Sequence, residues 1–91
     1  MKNTKETISK KMDDKVTQIE ALNYALYLVK QKHDEAVYVV QNVKTNVYYE
    51  DWCREEASLS KKIEVLKSVI DLMDADLDRL CRQYEKVAEN E

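Results

Sequence analysis

The chain has 91 residues, with 15 basic and 18 acidic side chains, a formal net charge of −3, and 44% hydrophobic against 36% charged composition. That balance is too apolar for a disordered segment and too charged for a membrane span. Glycine and proline are both absent, which excludes Gly-built phosphate loops, dinucleotide fingerprints and collagen-like or polyproline segments.

At the N-terminus Lys2, Lys5, Lys10 and Lys11 precede no apolar stretch of the kind a secretory signal needs. The longest uncharged run, Ala21 to Val29, has nine residues, against the roughly 20 that cross a bilayer. No lipidation motif stands at either end, where residue 2 is Lys and the last four residues are Ala88-Glu89-Asn90-Glu91. The expectation is a cytoplasmic chain without a membrane partner, in which Cys53 and Cys81 are free thiols.

The first helix is expected over about residues 4–44. Asn3, with Glu6 three residues on, resembles a capping box at its start. Met12, Ile19, Leu26, His33, Val40 and Val47 form one heptad row, and Ile8, Lys15, Leu22, Val29, Ala36 and Val43 form the other. Two members, Lys15 and His33, are polar, and a seam lysine can carry its head out to water along its own stem.

A turn is expected over about 45–51. Thr45-Asn46-Val47-Tyr48-Tyr49-Glu50 is poor in helix formers, and Asp51 offers an N-cap. The heptad rows on either side differ by two residues, which a continuous coiled coil does not absorb easily. The second helix, about 52–88, carries the clearest pattern. Leu59, Ile63, Leu66, Ile70, Met73, Leu77, Leu80, Tyr84 and Val87 alternate spacings of four and three without a miss. The chain therefore reads as a single all-α domain, an antiparallel two-helix coiled-coil hairpin. A break in Lys30-Gln31-Lys32-His33-Asp34-Glu35, giving three helices, is the structural alternative.

Residues 1–48 carry eight basic and six acidic groups, net +2, whereas residues 49–91 carry seven and twelve, net −5. Helices of opposite average sign attract when they pack side by side. A two-helix seam also uses fewer apolar residues than are present. Val37 and Val39 flank the first seam, and Val65, Val69 and Leu72 lie off the second. These five are the candidate dimer interface, through which two hairpins would associate into a four-helix bundle.

The side chains able to do chemistry are few. His33 is the only histidine and lies on a seam, where a hydrogen bond to a neighbour is the simplest role. Cys53 stands beside Arg54 but has no base in sequence reach, so it reads as an inert small residue. Asp71, Asp74 and Asp78 line one helix face with Asp76 set aside, a solvated charged face unless it mimics phosphates. No metal ligand set or cofactor motif is legible, and no nucleophile is paired with a base, so neither a cofactor nor an enzyme is expected.

Tyr38, Tyr48, Tyr49 and Trp52 are the candidate partner-binding residues, because exposed Tyr and Trp anchor protein interfaces. With no basic patch beyond the first fifteen residues, direct nucleic-acid binding is disfavoured. The function expected is a non-enzymatic protein–protein interaction module, a small dimeric hairpin acting as adaptor or inhibitor of another protein. Two alternatives stand beside it. One is a phage- or mobile-element-type inhibitor, as anti-CRISPR proteins are, acting on a nucleic-acid-handling enzyme by acidic mimicry; the other is a structural assembly piece.

Overall fold

The computed structural model describes residues 4–43, 45 and 47–90. They form an all-α hairpin of two helices, α1 (Lys5–Asn42) and α2 (Tyr49–Glu89), in a rod of 68 × 19 × 14 Å.

α1 starts at Thr4, whose side chain accepts the backbone N–H of Thr7 at 3.2 Å. Thr4 thus holds the capping position expected of Asn3, which lies outside the described residues. Glu6 sits one place too early to close a capping box and instead faces the positive end of the helix. α1 then runs unbroken through residues 30–35, so the three-helix alternative is not the fold taken. Val29, His33 and Ala36 keep the seam in step across that charged run.

α1 closes two residues earlier than expected. The Val43 N–H bonds the Val39 carbonyl at 2.9 Å, and Val43 itself leaves helical geometry. No described residue has a positive φ, as suits a chain with no glycine for a left-handed cap. α2 opens at Tyr49, three residues before the expected start, and the Tyr48 carbonyl takes the first N–H, from Trp52, at 3.0 Å. Asp51 is therefore a first-turn acid beside Glu50 and not the N-cap. The gain lies in packing. Spacings of three and four continue upstream from Leu59 through Glu56, Trp52 and Tyr49, and all three are half-buried. Tertiary contact outweighs the weak local propensity of the segment.

The heptad rows form the seam from Ile8 to Val43 and, in α2, from Leu59 to Val87, where every member is buried or half-buried. Val47, the last residue of the first row, is instead exposed in the turn, beyond the end of α1. Ile8, Leu26, Ala36, Leu59 and Ile70 are the buried hydrophobic core of the described residues. A large aliphatic side chain contributes about 1.5–3 kcal/mol on full burial, so few residues carry the pairing of long helices. The accessible surface is 7146 Å², whereas a compact monomer of this mass exposes about 5,500 Å².

Three contacts across the seam report its register. Lys5 lies over the Tyr84 ring at 5.7 Å, Lys15 meets Asp76 at 3.7 Å, and the His33 Nε2 lies 2.9 Å from a Glu56 carboxylate oxygen. The two residue numbers total 89, 91 and 89, as one constant antiparallel alignment requires. In each pair the base belongs to α1; in the latter two the acid belongs to α2, following the opposite charges of the two halves.

Leu59→Ala should lower stability by about 2–4 kcal/mol, as large-to-small core changes do, visible as a clear fall in thermal midpoint by circular dichroism. Lys61→Ala, at an exposed site two residues on, should change it by under about 0.5 kcal/mol. A double-mutant cycle on His33→Ala and Glu56→Ala should give a coupling of roughly 0.5–1 kcal/mol; additive effects would show the pair to be adjacent without interacting.

Candidate interaction surfaces

Heptad geometry divides the rod into two broad flanks. With Met12, Ile19, Leu26, His33 and Val40 as the a positions of α1, and Tyr49, Glu56, Ile63, Ile70, Leu77 and Tyr84 as those of α2, antiparallel pairing sets g beside g and e beside e. One flank therefore carries the g and c residues of both helices, and the opposite one carries e and b. Shallow grooves that span the two helices lie along the first flank. One is lined by Lys32, Glu35, Trp52, Glu55 and Leu59, and a second by Lys11, Asp14, Lys15, Gln18, Asp76, Arg79, Leu80 and Gln83.

The middle of the g/c flank is apolar. Leu28, Val65 and Leu72 are exposed, the last two by 62% and 68%, with Val69 half-buried between them. Ala21 and Ala25 stand on the α1 side. An apolar groove lined by Val29, Ser58, Lys61, Lys62, Val65 and Leu66 runs into this patch. Of the five candidate dimer residues, Val39, Val65, Val69 and Leu72 fall on this flank. Val37, at an e position, falls on the other, so one flat face does not hold all five. Ala21, Ala25 and Leu28 are not among the residues the sequence singles out by hydropathy, although their g and c places in the α1 heptad are a legible signal.

The e/b flank is acidic. Glu6, Asp13, Glu20 and Asp34 of α1 and Glu50, Glu64, Asp71, Asp78 and Glu85 of α2 occupy b positions, and all are exposed. Asp74 joins them from an e position, so Asp71, Asp74 and Asp78 do share a face. Asp76 stands apart, half-buried and paired with Lys15 and Arg79.

The aromatic residues separate into two groups. Tyr24 and Tyr38 lie on the outer edge of α1, Tyr27 beside them receives a hydrogen bond from the Gln31 amide at 2.8 Å, and all three are exposed. Tyr48 is exposed in the turn, as is Val47, by 92%. Tyr49 and Trp52, by contrast, are half-buried on the α2 seam. Of the four candidate partner-binding residues, Tyr38 and Tyr48 are thus exposed at the turn end, whereas Tyr49 and Trp52 contribute to the packing of that end.

His33 has the hydrogen-bonded seam role expected of it, with Glu56 as the partner. Cys53 and Cys81 are free and half-buried. Because α2 starts early, Cys53 sits beyond the first turn, and its notable neighbour is Tyr49. Hydrogen bonding with the Cys53 thiol, then the charge that thiol acquires at high pH, and last desolvation hold the Tyr49 phenol above its ordinary value. Among the described residues no group of three or more His, Cys, Asp or Glu is placed to hold a metal ion, and no helix is long and apolar enough to cross a membrane.

Compared with protein-family models, with curated proteins and with solved structures, the chain gives no match.

A raised folded pKa makes the Tyr49 contribution to stability complete below the ordinary phenol value of about 10 and progressively lost as pH climbs through the folded one. Cys53→Ala should let Tyr49 ionise at lower pH, seen as an earlier rise of phenolate absorbance in a difference titration against the unchanged chain. Coincident titration curves would remove the Cys53 contact as the cause.

Proposed function

We propose that this chain is a non-enzymatic interaction module: a helical hairpin that pairs with a second copy to form a coiled-coil-type four-helix bundle and docks on another protein as adaptor or inhibitor. The observation that carries this reading is the turn end. Val47 is 92% exposed there, and Tyr48 and Tyr38 are each exposed by 63%. Large apolar and aromatic groups held outward on a rigid rod are what interface hot spots are made of. A thin two-helix rod with shallow surface grooves encloses little room for a substrate, which favours recognition over catalysis.

The acidic flank supports a second reading, in which the partner is a basic protein that ordinarily binds nucleic acid and the row of b-position carboxylates stands in for phosphates. In that case the chain competes with DNA for its target, and the competition weakens steeply with salt. Both readings keep the action within the cytoplasm.

The turn-end reading is tested with the triple variant Tyr38→Ala, Val47→Ser, Tyr48→Ala used as bait beside the unchanged chain in cells of the source. Helicity should be retained, and recovery of the specific partner should fall by about tenfold or more, as for loss of a hot-spot cluster. Equal recovery by both baits would place the docking surface elsewhere, and substitution of Glu64, Asp71 and Asp78 by Gln would then test the acidic flank.

A further inference from the structure

We infer that the apolar g/c flank is covered by a second copy of this chain lying antiparallel, with the turns at opposite ends and a twofold axis crossing the rods at Val69. This deepens the self-association proposed above and rests on it.

Position is the first support. α2 spans Tyr49–Glu89 and has its midpoint at Val69, while α1 spans Lys5–Asn42 and has its midpoint between Asn23 and Tyr24. The apolar patch of Ala21, Ala25, Leu28, Val65, Val69 and Leu72 is centred on those same levels. A patch at mid-rod lets two copies overlap along their whole length, which an off-centre patch would prevent.

Area is the second. The two longer dimensions of the rod, 68 and 19 Å, frame a side larger than the about 800 Å² per partner of a stable interface. Small alanines on α1 beside Val and Leu on α2 give a surface with relief, into which a copy can interdigitate.

Charge selects the direction. Towards the chain ends this flank carries Lys11, Arg79 and Lys86 against Asp14 and Asp76, net +1. Towards the turn it carries Lys32 and Lys62 against Glu35, Asp51 and Glu55, net −1. Antiparallel copies bring unlike ends together, whereas parallel copies stack like on like. The opposite flank is excluded as the self-contact, because its carboxylate row would face itself.

The axis sets Val69 beside Val69 of the other copy, within the about 7 Å between Cα atoms that a disulfide tolerates. In the parallel arrangement Val69 would instead oppose α1 of the other copy, near Ala21. The test uses the full chain with Cys53→Ser and Cys81→Ser, carrying Val69→Cys, Val37→Cys, or Val69→Cys with Ala21→Cys, each checked for helicity by circular dichroism. Light scattering on the unoxidised proteins should give a mass near twice 10.8 kDa. On mild oxidation Val69→Cys should become a cross-linked dimer and Val37→Cys should remain single chains. A dimer that cross-links through Val37→Cys, or only through the Val69→Cys, Ala21→Cys pair, would overturn the face or the direction while leaving self-association standing. A mass of 10.8 kDa would overturn self-association itself.

Discussion

Two helices in contact exclude water along one line, and the whole of this fold hangs on that line. A rod 68 Å long is held by the buried Ile8, Leu26, Ala36, Leu59 and Ile70 and by a longer set of half-buried neighbours. Such a seam has little to spare against the conformational entropy of ordering the chain. It also explains why α2 reaches back to Tyr49. A further turn of helix brings Tyr49, Trp52 and Glu56 into the seam, and in a structure with so little interior that extension outweighs the poor helix propensity of the residues.

The same seam has to choose one alignment among several that heptads allow. Repeating apolar residues match equally well after a slip of seven, whereas the polar members do not. Lys15 would then meet Val69 or Gln83, and His33 would meet Tyr49 or Ile63, instead of the acids they face at Asp76 and Glu56. Half-exposed ion pairs add little net stability. Their contribution is to make the wrong registers worse, the best-attested use of polar groups at such positions.

Much of this is legible in the residues alone. The unbroken spacing from Leu59 to Val87 and the paired rows from Ile8 to Val43 carry the fold, because side-chain period is a direct image of helix geometry. The polar seam places of Lys15 and His33 are equally plain. Their partners are not, since a cross-helix pair depends on the alignment, and the alignment depends on where the turn lies. The turn boundaries shift for the same reason: local propensity places Asp51 at the cap, and burial of Trp52 moves the start upstream. The division of Val37 from Val39 is subtler. Two residues apart on a helix point to opposite flanks, so the surplus valines that read as one interface belong to two.

Once the flanks are separated, the surface has a consistent economy. One broad side is apolar at its centre and nearly balanced in charge, the other is a row of carboxylates, and the outer edge of α1 holds tyrosines. In the proposed antiparallel pair only the first of these is consumed. Each carboxylate row then faces water on its own side of the bundle, which keeps the assembly soluble and discourages further stacking. The two turn ends, with Val47 and Tyr48, project from opposite ends of a rod of about the single hairpin's length, 68 Å. In that proposed pair, docking sites so far apart would not both lie on one small globular partner, and the symmetry would make the proposed module bivalent towards two partner molecules or two distant sites of an assembly.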